Sequence, residues 1–433
     1  MASDIKCATT QFDWPLAAGS FDVTIPDLGY TPKAIKITIL GSQTNGTPED
    51  DATLGFGYAT ATDQRSCSAI AIDGVVDNTS TWRTQTTTHV ARYYEDAVNT
   101  DVGQKRLLSV APISNGWRLN AADVSTRVMK CKIEFYGGDD LQVAVGSWVP
   151  SSLPGPSTKL GIGFQPNYLD VSGIGYSTAT GVFNQGIIAN GVAYDNGVDI
   201  EQASIMMCPG RYGVDLDEAG LLLSDDSVTG QQLWSGTTWK RHITGFIADG
   251  WESDGTGTAG GDVVYYLAMN IGTTKAAVQV VDSPSSTGAD WSVTGIGFKP
   301  QGVSIGATIL DATDALGPVY TSRAGFVGFG SADAVRAASV SINVKDNADT
   351  SSTSSISALK SMYMVNDVDA VVYDVGQPIF NDDGWTVPAA EINNVASTAR
   401  KWMIVAIEAE DEPAPSEGQG AGRAIGIQIG IGI

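Results

Sequence analysis

The sequence predicts an all-β protein: three tandem antiparallel β-sandwich modules, jelly-roll or immunoglobulin-like, followed by a C-terminal β-strand. Three observations predict it. Gly29-Tyr30-Thr31-Pro32 returns as Gly163-Phe164-Gln165-Pro166 and as Gly297-Phe298-Lys299-Pro300, so the three motifs are evenly spaced along the chain. Asn115-Gly116-Trp117, Asp249-Gly250-Trp251 and Asp383-Gly384-Trp385 keep the same interval, with each Trp at one fixed distance beyond its Pro. The composition is that of strands and turns: 50 glycines in 433 residues and only 17% charged residues, against an ordinary glycine content of ~7%. A glycine 25 residues after each Pro, at Gly57, Gly191 and Gly325, is read as a third repeating position. Motifs that hold register over three copies mark one supersecondary unit built three times. The expected units are 1–148, 149–282 and 283–410, with 411–433 forming an acidic Pro/Gly linker and a terminal Ile-Gly strand.

The first unit opens with a strand-like run from Ile5 to Phe12, and Phe21 to Ile25 then alternates apolar and polar residues, the period of a half-buried strand. In Gly-aromatic-x-Pro the glycine gives a free φ, the aromatic fills a core slot, and the proline ends a ladder because it lacks an N–H. A strand starts just beyond it: Ala34 to Leu40, Tyr168 to Val171, Val303 to Ile305. Leu54 to Ala59 is a Gly-rich strand, where glycine signals a bulge or a close backbone approach. A phosphate cradle is the competing reading of these glycines, but no helix pattern or Lys-Ser/Thr follows. The middle of each unit differs most: Ser80 to Tyr94, Asp215 to Asp226 with Thr238-Trp239-Lys240, and Asp346 to Ser357. These stretches read as loops in which the copies acquire different contacts.

Asn-Gly and Asp-Gly are hairpin dipeptides, so Asx-Gly-Trp reads as a turn that delivers a core tryptophan into the next strand. Buried strands are expected after it at Val128 to Tyr136, Val263 to Met269 and Trp402 to Ile407. After the third copy the pattern changes. Residues 408–423 are acidic and rich in Pro and Gly, and Ile425, Ile427, Ile429, Ile431 and Ile433 then lie on one face of a period-2 strand. That strand either closes its own chain or is donated to a partner by strand addition.

The net charge of −23 argues against nucleic acid and anionic membranes as partners. No 18-residue apolar run or signal-peptide pattern is present, so synthesis in a cytoplasm without a signal peptide is expected. Cys7, Cys67, Cys131 and Cys208 do not recur at the repeat period and read as reduced, buried thiols. His89 and His242 have no second ligand at metal spacing, and no G-x-S-x-G or H-E-x-x-H occurs. A carboxylate pair for glycoside hydrolysis does not stand out. The acidic clusters at 49–51, 139–140 and 215–218 are candidate Ca²⁺ ligands, read more simply as solvated turns. No catalytic residue, cofactor-binding residue or metal ligand is assigned, and the chain is expected not to be an enzyme. Trp82 and Trp239 are the candidate platforms for stacking on a glycan.

The order Gly-aromatic-x-Pro, apolar strand, Gly-rich segment, Asp-Gly-Trp, apolar strand, Val145-Gly146-Ser147-Trp148 resembles tandem repeats in structural proteins of tailed bacteriophages and prophages. Ser292 to Pro300 and Thr31 to Ile35 carry the likeness most closely, and it spans roughly 3–410. The resemblance implies a virion component: a capsid decoration, head fibre or tail-associated fibre that binds other virion subunits and is itself a homo-oligomer. A carbohydrate-binding adhesin is the alternative. Three modules arranged about a threefold axis and three stacked end to end are equally compatible with the sequence.

Overall fold

A computed structural model describes residues 5–409 except 41–48, 51, 73–79, 95–103, 124, 126–128, 152, 175–181, 184–187, 209–219, 233–237, 257–261, 314–324, 345–351, 366–370 and 394–398. The protein is nearly all β, in antiparallel sheets, and among the described residues no helix is long and apolar enough to cross a membrane. One strand order appears three times. The first large sheet runs Lys6–Asp13, Lys130–Gly137, Ala34–Leu40, Ala52–Thr60, Gln64–Ile72, Ser80–Thr86. The second runs Gln142–Trp148, Val264–Asn270, Tyr168–Gly173, Ile188–Asp195, Ile200–Cys208, Gly220–Ser224. The third runs Ala276–Asp282, Lys401–Glu408, Pro300–Thr308, Gly325–Asp333, Ala337–Val344, Ser352–Ser357. Each is backed by smaller sheets that carry the Asx-Gly-Trp strand, such as Gly19–Thr24, Gly116–Ala121, Gln104–Ile113 and Ala91–Tyr94 in the first module.

The pairing moves the expected boundaries. Gln142–Trp148, placed at the end of the first unit by sequence, pairs along its whole length with Val264–Asn270 of the second. Ala276–Asp282 likewise pairs with Lys401–Glu408 of the third. The strand next to each junction therefore opens the following module, as Lys6–Asp13 opens the first by pairing with Lys130–Gly137. The divergent middles, expected as loops, also contain sheet strands: Ser80–Thr86, Gly220–Ser224 and Ser352–Ser357 are the sixth strands of the three large sheets. The serine- and threonine-rich sequences of Ser80–Thr86 and Ser352–Ser357 hide the apolar alternation by which a strand is usually recognised, and Gly220–Ser224 is a short apolar run without alternation.

Each module has its own core between large and small sheets, and the repeated tryptophans sit at its centre. Trp117, Trp251 and Trp385 are all fully buried. Trp251 meets Trp148 edge-on at 5.6 Å between ring centroids and Tyr266 at 5.1 Å. The glycine before each tryptophan is obligatory by contact. A Cβ on Gly116, Gly250 or Gly384 would lie 2.1, 1.9 or 2.0 Å from the carbonyl oxygen of Val23, Lys159 or Val293 on the neighbouring strand.

A fourth core is shared by all three modules. It contains Phe56 and Tyr58 of the first, Tyr168, Val192 and Ile205 of the second, and Phe329 and Met403 of the third. The central strand Ala34–Leu40 is consequently buried along its whole length. Ile35, Ile37 and Ile39 face its own small sheet, while Lys36 and Thr38 on the other face are covered by the neighbouring modules. The opening strand of each module packs on the preceding one around a closed ring. Arg65 Nε donates to Ser147 Oγ (3.2 Å) between the first and second modules. The backbone N–H of Val278 donates to Glu201 Oε2 (2.8 Å) between the third and second. Thr9 and Ser331 hydroxyls share a 2.7 Å hydrogen bond between the first and third. Strands are exchanged as well: Val182–Phe183 adds to the edge of the first large sheet, and Glu49–Asp50 to the edge of the third.

Candidate functional site

The two repeated motifs form one hydrogen-bonded unit, which explains their constant separation. Gly29, Gly163 and Gly297 all have left-handed φ, at 74°, 86° and 77°, which L side chains adopt at a cost. Their N–H groups point at the Asx residue of Asx-Gly-Trp. Gly29 N–H donates to Asn115 Oδ1 (3.2 Å). In the second copy Gly163 and Gly161 both donate to the Asp249 carboxylate, at 2.6 and 3.1 Å. In the third, Gly297 and Gly295 donate to Asp383 at 2.8 and 2.9 Å. These backbone hydrogen bonds hold the carboxyls of Asp249 and Asp383 below the ordinary aspartate range. A depressed folded-state value means that the stabilisation is complete above the unfolded aspartate pKa, about 3.9, and is lost as pH falls through the folded value. Asp249→Asn with Asp383→Asn is therefore expected to flatten the acid limb of the stability profile, measured by urea titration from pH 7 down to 2. An acid limb unchanged from the parent would contradict that role.

The third repeating position needs correction. Gly57 lies opposite Ile37 and Gly191 opposite Val171. In the third copy the residue opposite Ile305 is Gly330, not Gly325, which pairs with Val344 at the start of its strand. The connection ahead of this strand is longer in the third copy, so a fixed count from Pro300 stops short of it. Contacts agree with the pairing: a Cβ on Gly57, Gly191 or Gly330 would fall 1.6, 2.0 or 1.7 Å from the carbonyl oxygen of Val90, Val228 or Ser361. Pro32, Pro166 and Pro300 sit just before or at the start of the central strands Ala34–Leu40, Tyr168–Gly173 and Pro300–Thr308.

The glycan-stacking reading fails at Trp239, which is 2% exposed and so has no face to offer a sugar. Trp82 lies in the strand Ser80–Thr86, but the placement of its side chain is outside the described residues. The Ile-Gly strand with Ile425, Ile427, Ile429, Ile431 and Ile433, and the acidic cluster 215–218, also lie outside the described residues. Glu49–Asp50 of the first acidic cluster is a strand on the third module's edge, and Asp139 and Asp140 are exposed turn residues. Among the described residues no group of three or more His, Cys, Asp or Glu side chains could hold a metal ion. Cys7 is partly buried, and Cys67 and Cys131 are buried thiols. Burial pushes Cys67 and Cys131 up to about 12.

The densest polar chemistry lies at the ring's centre, where no sequence motif points. Lys36 Nζ donates to Asp170 Oδ2 at 2.7 Å, with both side chains almost fully buried. Asp170 Oδ1 accepts from Tyr58 Oη (2.6 Å) and Asn190 Nδ2 (2.8 Å). Burial, and then the Asp170 carboxylate, push the Tyr58 phenol well above its usual value, so it remains a donor. Next to this cluster Lys132 stands 3.6 Å from Glu134, and Ser304 Oγ of the third module donates to Glu134 Oε1 at 2.6 Å. Burial raises Glu134, but Lys132, Lys36 and the hydroxyls of Ser304 and Ser331 outweigh it and keep the group below the usual glutamate value. Two lysines and two carboxylates balance, and this neutral network joins the modules. Lys36 and Thr38 look like the solvent face of an alternating strand; only the packing of three sheets against one another shows that they are interior. No protein-family model and no curated protein matches the chain.

Proposed function

We propose that the protein is a non-catalytic structural component of the exterior of a tailed-phage virion, a capsid decoration, head fibre or tail-associated fibre. The reading rests on the resemblance of the repeated motifs. The observation that carries it is how the three modules use their polar chemistry: the buried Lys36, Asp170, Glu134 and Ser304 join module to module. The partners are neighbouring virion subunits, met by the segments where the copies differ, and the protein acts in the assembled particle as a homo-oligomer. The terminal Ile-Gly strand is the candidate for strand addition to a neighbour.

The test is cryo-EM of purified virions together with a variant lacking 424–433. Stoichiometric, symmetric density in contact with capsid or tail subunits is expected, with at least tenfold less incorporation of the truncated chain. Absence from the particle would overturn the reading. Normal incorporation of the truncated chain would remove the donated strand from it. Strong, specific hits on a glycan array would favour an adhesin instead.

A further inference from the structure

Two sets of equivalent positions face one another at the centre of the ring, and each has diverged in chemistry from module to module. Position 36 of the first module corresponds to 170 and 304, each one repeat interval further on. Its occupants are Lys36, Asp170 and Ser304. The cross-strand neighbours of 38, 172 and 306 are Phe56, Asn190 and Phe329. The first module thus presents Lys and Phe, the second Asp and Asn, and the third Ser and Phe. The contacts follow this inventory. Between the first and second modules stands the Lys36–Asp170 ion pair, completed by Tyr58 and Asn190. Between the first and third, Phe56 meets Phe329 edge-on at 4.9 Å, and Ser304 donates to Glu134. Between the second and third the contact is apolar: a Cβ on Gly306 would lie 2.5 Å from Ile205 Cδ1, so glycine makes the room that isoleucine fills.

We propose that these residues form a key that admits one cyclic order of modules and rejects a copy of the same module from a second chain. Three first modules about one axis would bring three buried lysines together, and three second modules would bring three aspartates. An isolated buried charge is strongly unfavourable, and two of like sign more so. The ion pair need add little net stability to do this, because a well-packed apolar replacement is often as stable. Its effect is to penalise the wrong partner, the logic by which a buried polar residue fixes register in other assemblies. The chain is then a ring of three modules that exchanges none of them, whatever its outer partners are.

The experiment uses the full chain and the variants Lys36→Met, Asp170→Asn and the double variant. Each single substitution leaves one charge without its counter-ion, so the unfolding equilibrium is expected to shift toward the unfolded state by more than about a hundredfold. The double variant removes both charges while its amide oxygen at 170 still accepts from Tyr58 and Asn190. It is expected to recover most of the loss. Refolding from denaturant at rising concentration, followed by light scattering on a sizing column, reads the key itself. Wild type should return to its native species. The double variant should give larger species by module exchange between chains, despite its recovered stability, and it supplies this readout even where the singles do not fold. A double variant that refolds as cleanly as wild type at every concentration overturns the proposal. So do single losses that simply add in the double.

Discussion

Gly330→Ala is expected to cost about 3 kcal/mol or more, the upper end of what overpacking a close-packed interior costs. The added methyl would stand 1.7 Å from the carbonyl oxygen of Ser361. That obstacle is backbone, tied to the strand Met362–Val365 that follows it, and cannot rotate aside as a side chain would. Gly57→Ala and Gly191→Ala meet the same obstacle at Val90 and Val228 and should behave alike. Urea denaturation would check it: a midpoint within error of the parent for all three would show that the two packed sheets can separate freely, contrary to their close approach.

Trp251→Ala is expected to destabilise by about 3–5 kcal/mol, the usual range for emptying a buried tryptophan site. Its indole is fully buried and gripped edge-on by Trp148 and Tyr266, so the cavity cannot collapse without moving both. Trp148 belongs to the opening strand and Tyr266 to its partner strand, and the loss should therefore loosen the link between consecutive modules as well as the core. Hydrogen exchange would separate the two effects. Protection should fall in Gln142–Trp148 and Val264–Asn270 together. A loss confined to the Asx-Gly-Trp hairpin would contradict this coupling. Trp239→Ala should likewise lower stability, because its ring is interior.

The sequence revealed what local backbone chemistry dictates. A glycine with left-handed φ and an Asx side chain that accepts its N–H recur wherever that turn recurs; the constant spacing of Gly297 and Asp383 was legible in the sequence, and their hydrogen bond was not. Buried strands such as Ala34–Leu40 and Lys401–Glu408 were legible from their apolar runs. The arrangement of the modules was not, because Lys36, Thr38 and Asp170 occupy alternate positions that look solvent-facing until a second and third sheet cover them. Gly330 was missed for a simpler reason: a longer connection displaced the position without changing its contact. The buried state of Trp239 was equally hidden, since an aromatic in a divergent polar stretch reads the same whether its ring faces solvent or core.

The exchange of edge strands has a consequence for how the chain is made. The first large sheet receives Val182–Phe183, so its last neighbour is synthesised only after the whole first module has emerged. The third sheet takes Glu49–Asp50, a piece made near the beginning. Contacts such as Thr9 with Ser331, 322 residues apart, close only after the first two modules have emerged. Folding dominated by such distant pairings is slow, and neither the first nor the third large sheet is complete as the product of its own stretch of message. A ribosome stalled after the first module therefore holds a sheet whose edge is still open to other chains.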